Sequence, residues 1–206
     1  MISVSLNEVY SETYKALRSV NIEWSLAKDC ANKAKWLAQH GQYFLGSILK
    51  TADLYKNNKI SISINKNTNN KPLATALLGL LLVEYVSANK ITWEGYIDNS
   101  KFLLAAMGII AEEQKINLIL ENEQKDIIAF TKDKEIYVNA NLDNKISSYY
   151  FLKTYDFIKK KNIKFTNLKK NKNVTKLNSQ CWQKLKSMAF ETYVPESETS
   201  KSGAGY

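Results

Sequence analysis

The twelve residues PLATALLGLLLV, Pro72 to Val83, carry a single polar side chain, Thr75, and stop at Glu84. A helix that crosses a bilayer needs about 20 apolar residues, so this run is too short to span one. It is apolar on every side and has no face to offer water, so it has to lie inside a fold. Pro72 suits the first turn of a helix, where the N–H it lacks would find no partner. The rest of the chain must therefore surround a buried helix. Its 206 residues suffice, since a chain of this size buries roughly 70% of its unfolded surface. With 45% hydrophobic and 24% charged residues, the composition is that of a globular protein.

The segments before the run are helical in period. Ser5-Leu6-Asn7-Glu8 has the spacing of a capping box, and Leu6, Val9, Tyr10, Thr13, Leu17 and Val20 follow on one face. A second helix starts near Asn21 to Glu23. Its stripe of Ala27, Cys30, Ala31, Ala34, Leu37 and Ala38 is narrow, and small side chains let a neighbouring helix approach closely. This predicts a central helix that ends at His40-Gly41, where glycine supplies a left-handed residue. A third helix carries Phe44, Leu45, Ile48, Leu49, Ala52 and Tyr55 on one face.

Beyond residue 56 the period changes. Ile60, Ile62 and Ile64 alternate with polar residues, and a polar loop covers 65–71. Residues 91–97 alternate as a strand, and Phe102 to Glu113 form an apolar helix. Three strand-like runs follow at 116–120, 126–131 and 135–139, separated by charged turns. Ser147 to Lys161 is predicted as a helix, 163–168 as a short strand and Ser179 to Tyr193 as a last helix ended by Pro195. The class predicted is α+β: an N-terminal helical layer followed by a mixed, largely antiparallel sheet with helices. One domain covers 1–194, helical to about 56 and mixed over 57–194, with a C-terminal tail at 195–206.

Several chemistries lack their residues. His40 is the only histidine, and beside Gly41 it suits a partner for a helix C-terminus better than a catalytic base. The two cysteines, Cys30 and Cys181, form no CxxC and imply buried thiols in a reducing compartment. No metal site, no phosphate-binding glycine loop and no cofactor motif is legible. No catalytic residue is assigned. Glu112-Glu113, and Glu121 with Glu123, fit solvated ends better than a general acid and base. The four tryptophans, Trp24, Trp36, Trp93 and Trp182, sit where core aromatics sit. The first residues show no basic segment followed by an apolar one, which predicts a cytoplasmic protein without a secretory signal.

The formal charge is +9, and 28 of the 29 basic residues are lysine, with Arg18 the exception. Residues 153–176 hold nine lysines and one acid, Asp156, for +8. Lys159, Lys160, Lys161, Lys164, Lys169, Lys170 and Lys172, interleaved with Tyr155, Phe157 and Phe165, make a weak polyanion-binding candidate. The segment has no arginine for base edges, so a solvated lysine face is favoured.

The last residues differ in kind. After Thr192 and Tyr193, Val194-Pro195 forces an extended path, and Glu196, Ser197, Glu198, Thr199, Ser200 and Lys201 precede Gly203-Ala204-Gly205.

Both ends of the chain carry a resemblance. VSLNE at 4–8, WSLA at 24–27 and KWL at 35–37 resemble the opening of a family of bacterial proteins of unknown function, which begin V-S-L-N-E and continue W-G-x-A-E-E…W-L. FETYVPESETSK at 190–201 with GAG at 203–205 is similar to that family's ending, T-Y-V-P-x-S-E-x-S-K/R and G-A-G. The chain departs from the pattern at Ser25, Lys28 and Asp29, in place of glycine and two acids, and it stops at Tyr206 where the family continues in acids. The resemblance brings no activity with it; it implies that the tail belongs to the working protein.

The expected function is that of a cytoplasmic accessory or interaction protein whose C-terminal segment docks on its own body or on a partner. The candidate contact residues are Trp24, Trp36, Thr192, Tyr193, Pro195, Glu196, Ser197, Glu198, Ser200, Lys201, Gly203 and Gly205. The first alternative is a small metabolic enzyme or metabolite-binding protein with a pocket formed by both termini. The second is weak nucleic-acid binding through 153–176. The partner is then a protein or a small molecule, nucleic acid is not favoured, no membrane is expected, and assembly of copies stays open, as does whether the chain is an enzyme.

Overall fold

The computed structural model describes residues 1–64, 71–139, 148–155, 164–170 and 174–192. In chain order the elements are β1 (Ile2–Ser5), α1 (Leu6–Ser19), α2 (Trp24–Gln39), α3 (Leu45–Lys56), α4 (Thr75–Asn89), β2 (Thr92–Ile97), α5 (Ser100–Gln114), β3 (Leu118–Asn122), β4 (Ile127–Lys132), β5 (Glu135–Asn139), β6 (Ser148–Thr154), β7 (Phe165–Asn167), β8 (Val174–Leu177) and α6 (Ser179–Phe190). The fold is α+β, as the periodicities predict.

Six strands form an antiparallel sheet in the order β2-β6-β3-β4-β5-β7. Alternation then settles its faces. Trp93, Ile97, Leu118, Leu120, Ala129, Ile136, Val138, Tyr150 and Leu152 are buried on the side where α4 and α5 pack. Tyr96, Tyr149, Phe151, Phe130, Tyr137 and Phe165 stand on the opposite face and pair among themselves. The next layer is α2, which packs on α4 and α5, with α1 beside it and α6 against α1. Its small residues Ala27, Cys30, Ala31 and Ala34 are fully buried, as a central helix requires. Strands β1 and β8 pair antiparallel, Ile2 opposite Leu177, and fasten the start of the chain to the approach to α6.

The local signals act as their chemistry demands. Ser5 Oγ accepts from Glu8 N at 3.2 Å while Ser5 N donates to Glu8 Oε2 at 2.9 Å, closing the capping box of α1. Gly41 has φ 67°, and Gly41 N and Gln42 N donate to Ala38 O and Leu37 O, which ends α2 in a Schellman turn. Helix α4 carries the apolar run from Thr75 on, with Pro72 before the helix; its long apolar face packs against the sheet and α2, while Leu81 is 51% exposed, so the run does offer one side to water. No helix among the described residues is long and apolar enough to cross a membrane.

Three expectations need correction. The predicted helix from Ser147 is instead strand β6 over Ser148–Thr154, with Tyr150 and Leu152 inward and Tyr149, Phe151 and Lys153 outward. Its aromatic residues suit a pleated strand between two neighbours, and the alternation was masked by the lysines that follow. Ile60 to Ile64 forms no strand. Ser61 alone makes an isolated bridge to Leu73, and Ile62 is exposed. Trp24 is no core residue: it opens α2 and is 60% exposed, whereas Trp36, Trp93 and Trp182 are buried.

Candidate functional site

Trp24 and Trp36 do not share a pocket. Twelve residues of α2 separate them, about 18 Å along the axis at 1.5 Å per residue. Trp36 is fixed by packing: its ring stacks on His40 at 3.7 Å, and its Nε1 donates to Glu112 Oε1 at 3.2 Å. Glu112, read from sequence as a solvated helix end, also accepts from Lys170 Nζ at 2.7 Å. His40 accordingly serves structure, with Nδ1 2.8 Å from Trp36 O and burial holding its pKa below the ordinary histidine value.

Gly108 of α5 lies under the Trp36 ring, and a Cβ there would sit 2.3 Å from Trp36 Cζ2. The ring cannot yield without giving up both His40 and Glu112. Gly108→Ala is therefore expected to cost about 2 kcal/mol, the range for forcing a carbon into a filled core, read as a lower urea midpoint with an unchanged slope.

Thr192 follows α6, and its hydroxyl donates to Ala189 O at 2.6 Å. The tail candidates Tyr193, Pro195, Glu196, Ser197, Glu198, Ser200, Lys201, Gly203 and Gly205 lie outside the described residues, as do Lys159, Lys160, Lys161 and Lys172. Of the remaining basic candidates, Lys164 and Lys169 are exposed and Lys170 is paired with Glu112. Tyr155 and Phe165 pack edge-on against Phe130.

A cavity opens elsewhere, between α3 and the turn that joins β2 to α5. Its volume is about 230 Å³, roughly the room taken by eight liquid waters. The turn is only Asp98-Asn99, and each side chain caps a different helix. Asn99 accepts from Lys101 N and Phe102 N and so caps α5, its own helix. Asp98 reaches back to α4, whose own N-cap residue, Ala74, has no side chain to offer. Asp98 Oδ1 accepts from Thr75 N and lies 2.7 Å from Thr75 Oγ1, and Oδ2 accepts from Thr51 Oγ1 of α3 at 3.1 Å. The backbone holds this turn in place: Leu73 N donates to Tyr96 O and Asp98 N to Leu73 O.

Asp98 is 5% exposed yet forms part of the cavity wall. Burial raises its pKa above the ordinary carboxylate value; bonds from Thr75 and Thr51 and the charge of Lys33 oppose that rise. Proton counting points the same way. The Thr75 hydroxyl has one proton but faces two acceptors, Asp98 Oδ1 at 2.7 Å and Asn99 O at 2.6 Å. A proton on Asp98 would satisfy both contacts.

Behind the wall lies Lys33 of α2, fully buried, its Nζ donating to Leu77 O at 3.3 Å. Burial lowers its pKa to about 8. Cys30, one turn earlier, is pushed up to about 12 by the same burial, so its thiol is inert. On the open side, α3 presents Ser47 and Lys50 along with Thr51. Tyr43 stands at the rim, its hydroxyl donating to Cys181 Sγ at 3.4 Å, which raises the phenol pKa and ties α6 to this edge.

Sequence reasoning missed this group. Asp98-Asn99 between a strand and an apolar helix is a capping signal in plain view, and Lys33 on the buried stripe of α2 is a charge where the period asks for an apolar residue. Among the described residues, no three His, Cys, Asp or Glu side chains stand close enough to hold a metal ion. No family model, no curated protein and no solved structure matches the chain.

Proposed function

We propose that the chain is a binding protein for a small polar molecule, seated in the cavity between α3 and the Asp98-Asn99 turn. The observation that carries this reading is Asp98, a buried carboxyl group in the wall of an open cavity, held by hydrogen bonds to Thr75 and Thr51 from two other segments. A carboxyl group costs free energy to bury unless it is well bonded, and one with a shifted pKa in the wall of a cleft is a candidate functional group. The rest of the wall comes from Ser47, Thr51, Asn99, Lys50 and Tyr43, which carry polar groups, and from Gly46 and Leu54. That mixture suits a molecule of a few heavy atoms recognised by hydrogen bonds. The reading keeps the metabolite-binding alternative drawn from the sequence but moves its pocket away from the termini.

The test is a thermal-shift survey of small anions, cations, zwitterions and neutral polyols on the intact chain and on Ser47→Phe. Ser47 is a half-buried position of α3, so a ring there fills the cavity from the solvent side. At a hundredfold excess over Kd a ligand adds about 2.7 kcal/mol of stability. The expected result is a class of compounds that raises Tm of the intact chain and leaves Ser47→Phe unmoved. Equal shifts in both proteins, or none across all classes, would count against the reading.

A further inference from the structure

The cavity wall holds one buried acid, Asp98, and one exposed base, Lys50, and they define a ligand class. We infer that the bound molecule is a small zwitterion, an amine at one end and a carboxylate or similar anion at the other; this rests on the binding function proposed above. Among the described residues Asp98 Oδ2 accepts one hydrogen bond, from Thr51, and a carboxylate oxygen has room for two. An incoming ammonium group completes it and stabilises the carboxylate form. At the rim stands Lys50, exposed and without an ion pair among the described residues. The anionic end of the ligand meets Lys50 there, with the Ser47 hydroxyl beside it on the same face of α3.

The other charged and titratable groups near Asp98 do not take either role. Lys33 from α2 donates to Leu77 O and is absent from the cavity wall, and Cys30 from the same helix is buried behind it as a neutral thiol. Tyr43 is engaged with Cys181 at the edge. A single anion is poorly served, because the Asp98 carboxyl already fills the N-terminus of α4, where an anion would bind. A single amine leaves Lys50 facing it with like charge. A zwitterion satisfies both groups, and the volume of about 230 Å³ limits it to a small one.

The experiment is calorimetric titration with glycine, β-alanine and γ-aminobutyrate, beside butyrate and butylamine as the two halves. At least one zwitterion is expected to bind ten-fold or more tightly than either half. Lys50→Ala, an exposed change that leaves the core intact, is expected to weaken that zwitterion about ten-fold and to leave butylamine unchanged or tighter. Butyrate or butylamine binding as tightly as the best zwitterion would overturn the inference. So would silence from all three zwitterions while the broader survey finds a ligand of another class that Ser47→Phe abolishes, a result that keeps the cavity and removes only the zwitterion. Silence from every compound in both experiments removes the binding function itself.

Discussion

Asp98→Ala is expected to lower the unfolding free energy by about 3–5 kcal/mol, the cost of leaving buried polar partners unpaired. The substitution removes the acceptor of Thr75 N at the start of α4 and the partner of the Thr51 hydroxyl, both in buried surroundings. It also takes away one of the groups, after Cys30 and Asp29, that oppose the effect of burial on Lys33. Helix α4 has no cap of its own, so the loss is felt at the centre of the molecule and not at a fraying end. Asp98→Asn keeps an acceptor for Thr75 N and should cost about half as much. Urea unfolding followed by circular dichroism reads both. A change under about 1 kcal/mol for Asp98→Ala would mean that α4 is capped in some other way.

Lys33→Met is expected to act in the opposite direction and raise stability at pH 7 by about 3 kcal/mol. The folded pKa of about 8 lies below the ordinary 10.5, and each pKa unit is worth about 1.4 kcal/mol. Below pH 8 the ammonium is charged in the folded and unfolded chains alike, so its desolvation weighs fully on the fold. Between about pH 8 and 10.5 the unfolded chain holds the proton and the folded chain has released it, so the wild-type protein gains stability as pH rises through that window. Methionine fills a similar space without a charge and removes this slope. The advantage of Lys33→Met should therefore shrink above pH 8. Cys30, raised from 9.0 to about 12, works the other way above pH 9, and because the charge of Lys33 opposes that rise the two proteins are compared below pH 9. A loss of stability at pH 7 would show that the attraction between Lys33 and Asp98 outweighs the burial of the lysine.

The fold was legible where a single segment decides it. The capping box at Ser5 and Glu8 and the stop at Gly41 each follow from local chemistry and appear in their places; the apolar run at 72–83 is helical only from Thr75, after Pro72, and Leu81 reaches solvent. Strand β6 was not legible because its pairing partners, β2 and β3, lie more than twenty residues before it. The site was hidden for the same reason. Thr51, Thr75 and Asp98 belong to three segments, and only the close of β2 against residues 72–74 brings them within hydrogen-bond reach. Trp24 and Trp36 drew notice as aromatics, yet one faces solvent and the other is a packing piece beside Gly108. The lone buried lysine on α2 was the one sign of the site that the periodicity alone could have raised.

The most direct test of the binding function needs no prior identity for the ligand. The purified chain is treated with an amine-reactive reagent, with and without the small-molecule fraction of an extract from its own source cells, and the labelled lysines are read by mass spectrometry. Lys28 and Lys90 are exposed lysines outside the cavity and serve as references. The extract is expected to protect Lys50 while Lys28 and Lys90 label as before, and Ser47→Phe is expected to lose the protection. Labelling of Lys50 that follows Lys28 and Lys90 under every condition would contradict the binding function.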